Sequence, residues 1–239
     1  MRKFSSSFVL LALFSGGLKT ASAQTASASA SVSSPSVSAA NSGSRTSMQT
    51  IDGIAARIED DIITESEVRE LSAFQELVDG KPKPRNEIIK ELADQWIVRG
   101  EASLAAFPSP SQADVDRAYQ EFVKQFPSPQ EFQSRCAAVE LTDLAVRRIL
   151  EHQLFLSRFI DYRFRPAAQV DDAQIQAYYR DEFAPQLTAK KQPVPPLAEV
   201  EDTIREVLVQ RAINERATKW LDETREHLRI DVVAQGATQ

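Results

Sequence analysis

The side chains best suited to chemistry are few and far apart. The 239 residues include two histidines, His152 and His227, and one cysteine, Cys136. Zinc needs several His, Cys or carboxylate donors at close spacing, and neither histidine has a second His or Cys three or four positions along. Both read as surface or boundary residues. A lone cysteine forms neither an internal disulfide nor a zinc site, so Cys136 reads as a small buried hydrophobe. No glycine-rich phosphate loop, G-x-S-x-G elbow or Cys/His pairing occurs, and seven glycines leave little room for one. The acidic pairs Asp60-Asp61 and Asp171-Asp172 fall at a turn and a helix start, where capping and the helix dipole account for them. The expectation is a chain with no catalytic centre, metal or cofactor of its own.

Aromatic side chains on amphipathic helices are the surplus instead. Phe107, Phe122, Phe126, Phe132, Phe155, Phe159, Phe164, Tyr178, Tyr179 and Phe183 are spread over several linked helices. Most such residues are core. Linked helices that leave apolar faces uncovered accept extended or helical peptide, and on this ground Trp96, Phe107, Phe122 and Phe126 are the candidate client-binding residues.

These residues need elements to position them. Ile54, Ala56 and Ile58 alternate, the acidic triplet Glu59-Asp60-Asp61 turns the chain, and Ile62-Ile63 resumes, which predicts a short strand or hairpin. Thr64 with Glu67 is a capping box opening a helix to about Val78, which Asp79-Gly80 stops. A helix from about Asn86 to Ala106 carries Ile89, Leu92, Trp96, Ile97 and Leu104 on one face. Two copies of a Phe-Pro-Ser-Pro punctuation, at 107–110 and 126–129, bracket a helix from about Gln112 to Gln125. Ser128, Pro129 and Glu131 start the next, to about Val139, and Thr142 caps another to about Phe164. Asp171 with Gln174 opens a helix ending by Pro185. The stretch 188–196 (TAKKQPVPP) reads as irregular loop, because its prolines lack donors and fix the backbone. A long helix from about Leu197 to Leu228 follows, with Val200, Ile204, Val207, Leu208, Ala212, Trp220 and Leu221 on its stripe. The alternation through Val233 predicts a strand, whose economical partner is the strand at Ile54 to Ile58.

The start of the chain reads as an export signal. Arg2 and Lys3 precede the apolar run Phe8 to Phe14, and Ala21-Ser22-Ala23 supplies a cleavage site before Gln24. Residues 1–23 are thus expected to be a cleaved signal peptide, 24–49 a disordered Ser/Ala-rich tether, and the location periplasmic or otherwise extracytoplasmic. No mature segment approaches the roughly 20 apolar residues a membrane span requires. The formal charge is −6, and loss of Arg2, Lys3 and Lys19 with the leader makes it three more negative. An acidic surface of this kind argues against nucleic acid and anionic lipid as partners.

Ile54 to Val68 (IAARIEDDIITESEV) resembles the opening of SurA-type periplasmic chaperones and the related parvulin-type peptidyl-prolyl isomerases, with their strand, turn and ITxSE step into the first helix. Residues 170–179 (VDDAQIQAYY) are similar to the helix that precedes the isomerase domain in that family, and 200–232 to the long helix and closing strand that follow it. The resemblance implies a mainly α, open multi-helix peptide-binding module of the SurA and trigger-factor kind, with a small sheet pairing its N- and C-terminal strands. It places a helical chaperone domain at 50–187, completed by the helix and strand of 197–234. It also exposes a departure. The family's parvulin domain would sit where only 188–196 stands, so no isomerase residue carries over. What is implied is a holdase for unfolded exported or outer-membrane polypeptides, a monomer or weak dimer without isomerase activity. A scaffold or accessory subunit of a cell-envelope complex is the alternative.

Overall fold

A three-stranded antiparallel sheet ties the two ends of the described chain together. The computed structural model describes residues 52–234, so the expected signal peptide and tether lie outside the described residues. Strands β1 (Ile54–Ile58) and β2 (Asp61–Thr64) form the expected hairpin. Strand β3 (Ile230–Val232) pairs with the other edge of β1, giving the order β2-β1-β3. Ala56 faces both Ile63 and Val232, and Arg57 faces both Ile62 and Asp231. A bulge between Ile54 and Ala56 breaks the alternation, and Ala55 and Ala56 are consecutively buried.

The remainder is helical. Helix α1 (Glu65–Asp79) begins at the expected capping box: the Thr64 hydroxyl accepts from the Glu67 N–H, and the Glu67 carboxylate accepts from the Thr64 N–H at 2.8 Å. It ends at Gly80 in the left-handed conformation. Its buried residues Val68, Leu71, Phe74 and Leu77 recur every three positions. A three-residue step falls short of a 3.6-residue turn, so the stripe winds round the helix, and nine residues make about 2.5 turns. Val68 and Leu77 therefore face opposite sides. Val68 and Leu71 join the core under the sheet with Ile88, Ile89 and Leu92, whereas Phe74 and Leu77 join a second core with Phe122, Phe132, Val146 and Ile149.

Helix α2 (Arg85–Leu104) supplies the first core, and α3 (Gln112–Val123), α4 (Pro129–Ala138) and α5 (Asp143–Phe164) supply the second. The caps at Ser128 and Thr142 form as expected, and Ser111 with Asp114 makes a further capping box. Leu104 is a correction: its spacing from Ile97 is helical, but it is 85% exposed, because the last turn of α2 buries Ala102 on a different side.

After a 3₁₀ turn at Arg165–Ala167, α6 (Asp172–Tyr178) leads into a π-helical turn at Tyr179–Phe183 and then α7 (Ala184–Ala189). Pro185 thus does not end the helix. The Ala184 N–H bonds the Tyr179 carbonyl five residues back, and the widened turn places Pro185 at the start of α7, where a missing donor costs little. Thr188 and Ala189 accordingly belong to α7, and only 190–196 is irregular.

Helix α8 (Leu197–Glu226) buries only Ile204, Ile213, Ala217 and Leu221 in thirty residues. Val207, expected on the stripe, is exposed. Cross-element ion pairs complement this thin apolar seam: Arg165 with Glu206 (2.8 Å), Arg211 with Glu182 (2.7 Å), Arg205 with Asp172 (3.1 Å) and Arg225 with Asp94 (2.5 Å). The guanidinium partners hold the Glu182 and Glu206 carboxyls below their usual range, whereas burial pushes Asp94 up despite its bond to Arg225.

Two predictions follow from these elements. Ala106, at φ 49°, occupies the position after a helix end that favours glycine, and the Phe107 N–H closes on the Ala102 carbonyl. Ala106→Gly should raise stability by about 1 kcal/mol, and Gly80→Ala, at φ 68° with open space round an added Cβ, should lower it by about the same, in urea unfolding. The second concerns acid. A carboxyl whose folded-state pKa is depressed stabilises above its unfolded value and loses that contribution as pH falls through the folded one. Glu182 and Glu206 therefore predict loosening of α8 as pH falls below the usual glutamate range of about 4, and protonation of the oppositely shifted Asp94 offsets part of it. In a Trp96→Phe protein the emission of Trp220, which packs on Phe164, should shift to the red in that range, and Glu182→Gln with Glu206→Gln should flatten the shift.

Candidate functional site

Helix ends and aromatic rings build a partly exposed aromatic cluster. The turn after α2 folds Phe107 back onto α5, where its ring lies 5.8 Å from Phe155, 5.4 Å from Phe159 and 5.3 Å from Tyr162, centroid to centroid. Phe155, Phe159 and Tyr162 are spaced four and three residues apart, so α5 presents them on one face. Phe159 is buried beneath, Phe107 and Phe155 are half-buried, and Tyr162 is 62% exposed. Two ion pairs stand nearby: Arg163 with Glu101 at 2.9 Å and Arg158 with Asp114 at 3.0 Å. The Asp114 carboxyl is held well below the usual range by Arg158 and by its own capping bonds to Ser111. This platform offers ring faces and edges to apolar and aromatic side chains.

The other candidate residues stand differently. Phe122 is a correction. It is only 4% exposed, stacked 5.3 Å from Phe74 and edge-on to Phe126 and Phe132, so it is a core residue and cannot meet a client without unpacking the second core. Phe126 is half-buried at the rim of that core, with the Arg135 guanidinium 5.7 Å from its ring centre. Trp96 packs partly on the sheet core, and its indole N–H donates to Asp61 Oδ2 at 2.7 Å, bracing α2 against the hairpin. The structure thus joins Phe107 to none of the other three. Sequence reading missed Tyr162, although its place on the Phe155 and Phe159 stripe was a usable signal.

The reactive groups are quiet. Cys136 is buried, and burial pushes its thiol up. Tyr119 donates to Asp143, and burial together with that carboxylate pushes its hydroxyl up to about 12. Among the described residues no three His, Cys, Asp or Glu side chains come together as a metal site, and no helix is long and apolar enough to cross a membrane. A cleft of about 490 Å³ beside α1 has apolar walls at Val68, Ala73, Ile88 and Leu141 but a charged rim that includes Glu76, Glu140 and Arg69.

No family model matches the chain, and no curated protein matches it.

The different burial of two aromatic residues gives a direct test. Phe122→Ala should cost about 3–5 kcal/mol, whereas Tyr162→Ser should cost no more than about 1 kcal/mol, both read from urea unfolding of the purified protein.

Proposed function

We propose that this chain is a periplasmic or otherwise extracytoplasmic holdase of the SurA type, binding apolar and aromatic segments of unfolded polypeptides and catalysing no proline isomerisation. The observation that carries the reading is the platform of Phe107, Phe155 and Tyr162, three rings held in place by a buried fourth and accessible from solvent. Such a surface is formed before the client arrives. Binding then orders few protein side chains, and each Å² of apolar surface covered contributes about 25 cal/mol. The antiparallel pairing of β1 with β3 supports the reading further, because it brings the closing segment back to the opening strand, as the resemblance implies. Between α7 and α8 only residues 190–196 stand irregular, too few for an isomerase domain.

The decisive measurement is light scattering of a chemically unfolded outer-membrane protein diluted with and without this chain, beside a proline-isomerisation assay. The expected outcome is suppressed scattering near equimolar ratio, with isomerisation unchanged. Phe107→Ala with Tyr162→Ser should weaken suppression about tenfold or more, by loss of two ring contacts. Unchanged scattering with the wild-type chain would end the holdase reading in favour of a scaffold or accessory subunit that engages one folded envelope partner.

A further inference from the structure

A second cleft, of about 240 Å³, lies on the other side of α1, between α1, α2 and α5. Its apolar wall is Leu71, Leu92 and Ile149, one buried residue from each helix. The polar groups around that wall divide into those already engaged and those left over. Glu67 is taken by the N–H and hydroxyl of Thr64, Glu70 by Arg148, and the Ser66 hydroxyl by Asp52. Gln95 and Arg99 of α2 and His152 of α5 make no side-chain hydrogen bond or ion pair among the described residues. The lining carboxylates of Glu67 and Glu70 are each engaged within the fold, while three side chains able to donate border the same apolar-walled space.

We propose that this cleft is an anion site that takes a carboxylate carried on a small apolar group, the carboxylate meeting Arg99, Gln95 and His152 and the apolar group lying on Leu71, Leu92 and Ile149. A guanidinium presents the planar fork that a carboxylate matches. The volume falls below the range of about 300–1,000 Å³ that encloses drug-sized ligands, so the occupant is a single residue at a chain terminus or a free organic acid, not a long segment. The charges facing His152 are Glu67 and Glu70 from α1, Arg99 from α2, and Arg148 and Glu151 from α5. Burial, then Arg99 and Arg148, keep the empty site's imidazole neutral to lower pH than usual, with Glu151 and Glu67 opposing. A bound carboxylate favours the imidazolium. Binding therefore takes up a proton and tightens as pH falls through the usual imidazole range. This site is separate from the aromatic platform and does not depend on the holdase reading.

Isothermal titration calorimetry on the full chain tests it. The probes are N-acetylphenylalanine, its amide, and a tripeptide ending in phenylalanine with a free or an amidated terminus. The expected result is binding of at least one free acid, with the matching amide about tenfold weaker or worse, and affinity rising toward low pH. Binding of N-acetylphenylalanine alone identifies a small organic acid, and binding of the free tripeptide identifies a chain terminus. Arg99→Gln, at an exposed residue, should cut acid binding about tenfold with thermal unfolding unchanged. His152→Gln should flatten the pH dependence, and Tyr162→Ser should leave acid binding intact. Equal binding of acids and amides, no binding of any probe, or an Arg99→Gln protein that binds as wild type would overturn the proposal.

Discussion

The winding apolar stripe of α1 is the constraint on which the rest of the fold depends. One helix has to face the sheet core with Val68 and Leu71 and the aromatic core with Phe74 and Leu77, and a three-residue repeat on a 3.6-residue helix does this without a kink. Both ends are locked, by the Thr64 and Glu67 box and by Gly80, so the phase of the stripe cannot slip. The two clefts follow from the same geometry. They flank α1 on the surface that the stripe leaves to Ser66 and Glu70, side chains lining both.

Aromatic residues in this chain do two kinds of work, and position along the helices separates them. Phe74, Phe122 and Phe132 meet where α1, α3 and α4 cross, so every ring is enclosed by others. Phe107, Phe155 and Tyr162 meet where α2 has ended and α5 continues, and among the described residues Tyr162 stays largely uncovered there. Attachment of α8 obeys a different rule again. Four buried side chains hold it against its neighbours, and paired charges to α2, α5 and α6 flank them, contacts that water and salt weaken more readily than apolar ones.

Local signals in the sequence carried far. Thr64 with Glu67, Ser128 with Pro129, Thr142, and Asp171 with Gln174 each mark a helix start that the structure contains, because a cap is a chemical event among neighbouring residues. The pairing of β3 with β1 was also readable, since the closing alternation had one economical partner, the strand at Ile54 to Ile58. Failures came where the answer depends on what lies opposite. Leu104 and Val207 have correct spacing but no described residue covers them, and Phe122 looks like its neighbour Phe126 until Phe74 is seen to stack on it. Pro185 misled for a subtler reason: proline stops an α-helix, but a single widened turn before it restores the path. The carboxylate cleft had no linear trace at all, being assembled from residues on three helices.

The closing of β1 by β3 has a consequence in time. The Glu59 carboxylate accepts from the Arg229 backbone N–H across 170 residues of chain, so one edge of β1 stays without its partner until β3 has been made. At a synthesis rate of about 5–20 residues per second, that wait is roughly ten to thirty seconds. Throughout it, β1 offers a bare hydrogen-bonding edge beside small buried-type side chains, Ala55 and Ala56. Until β3 arrives the chain thus carries an open strand edge of its own, the kind of surface that pairs with other chains.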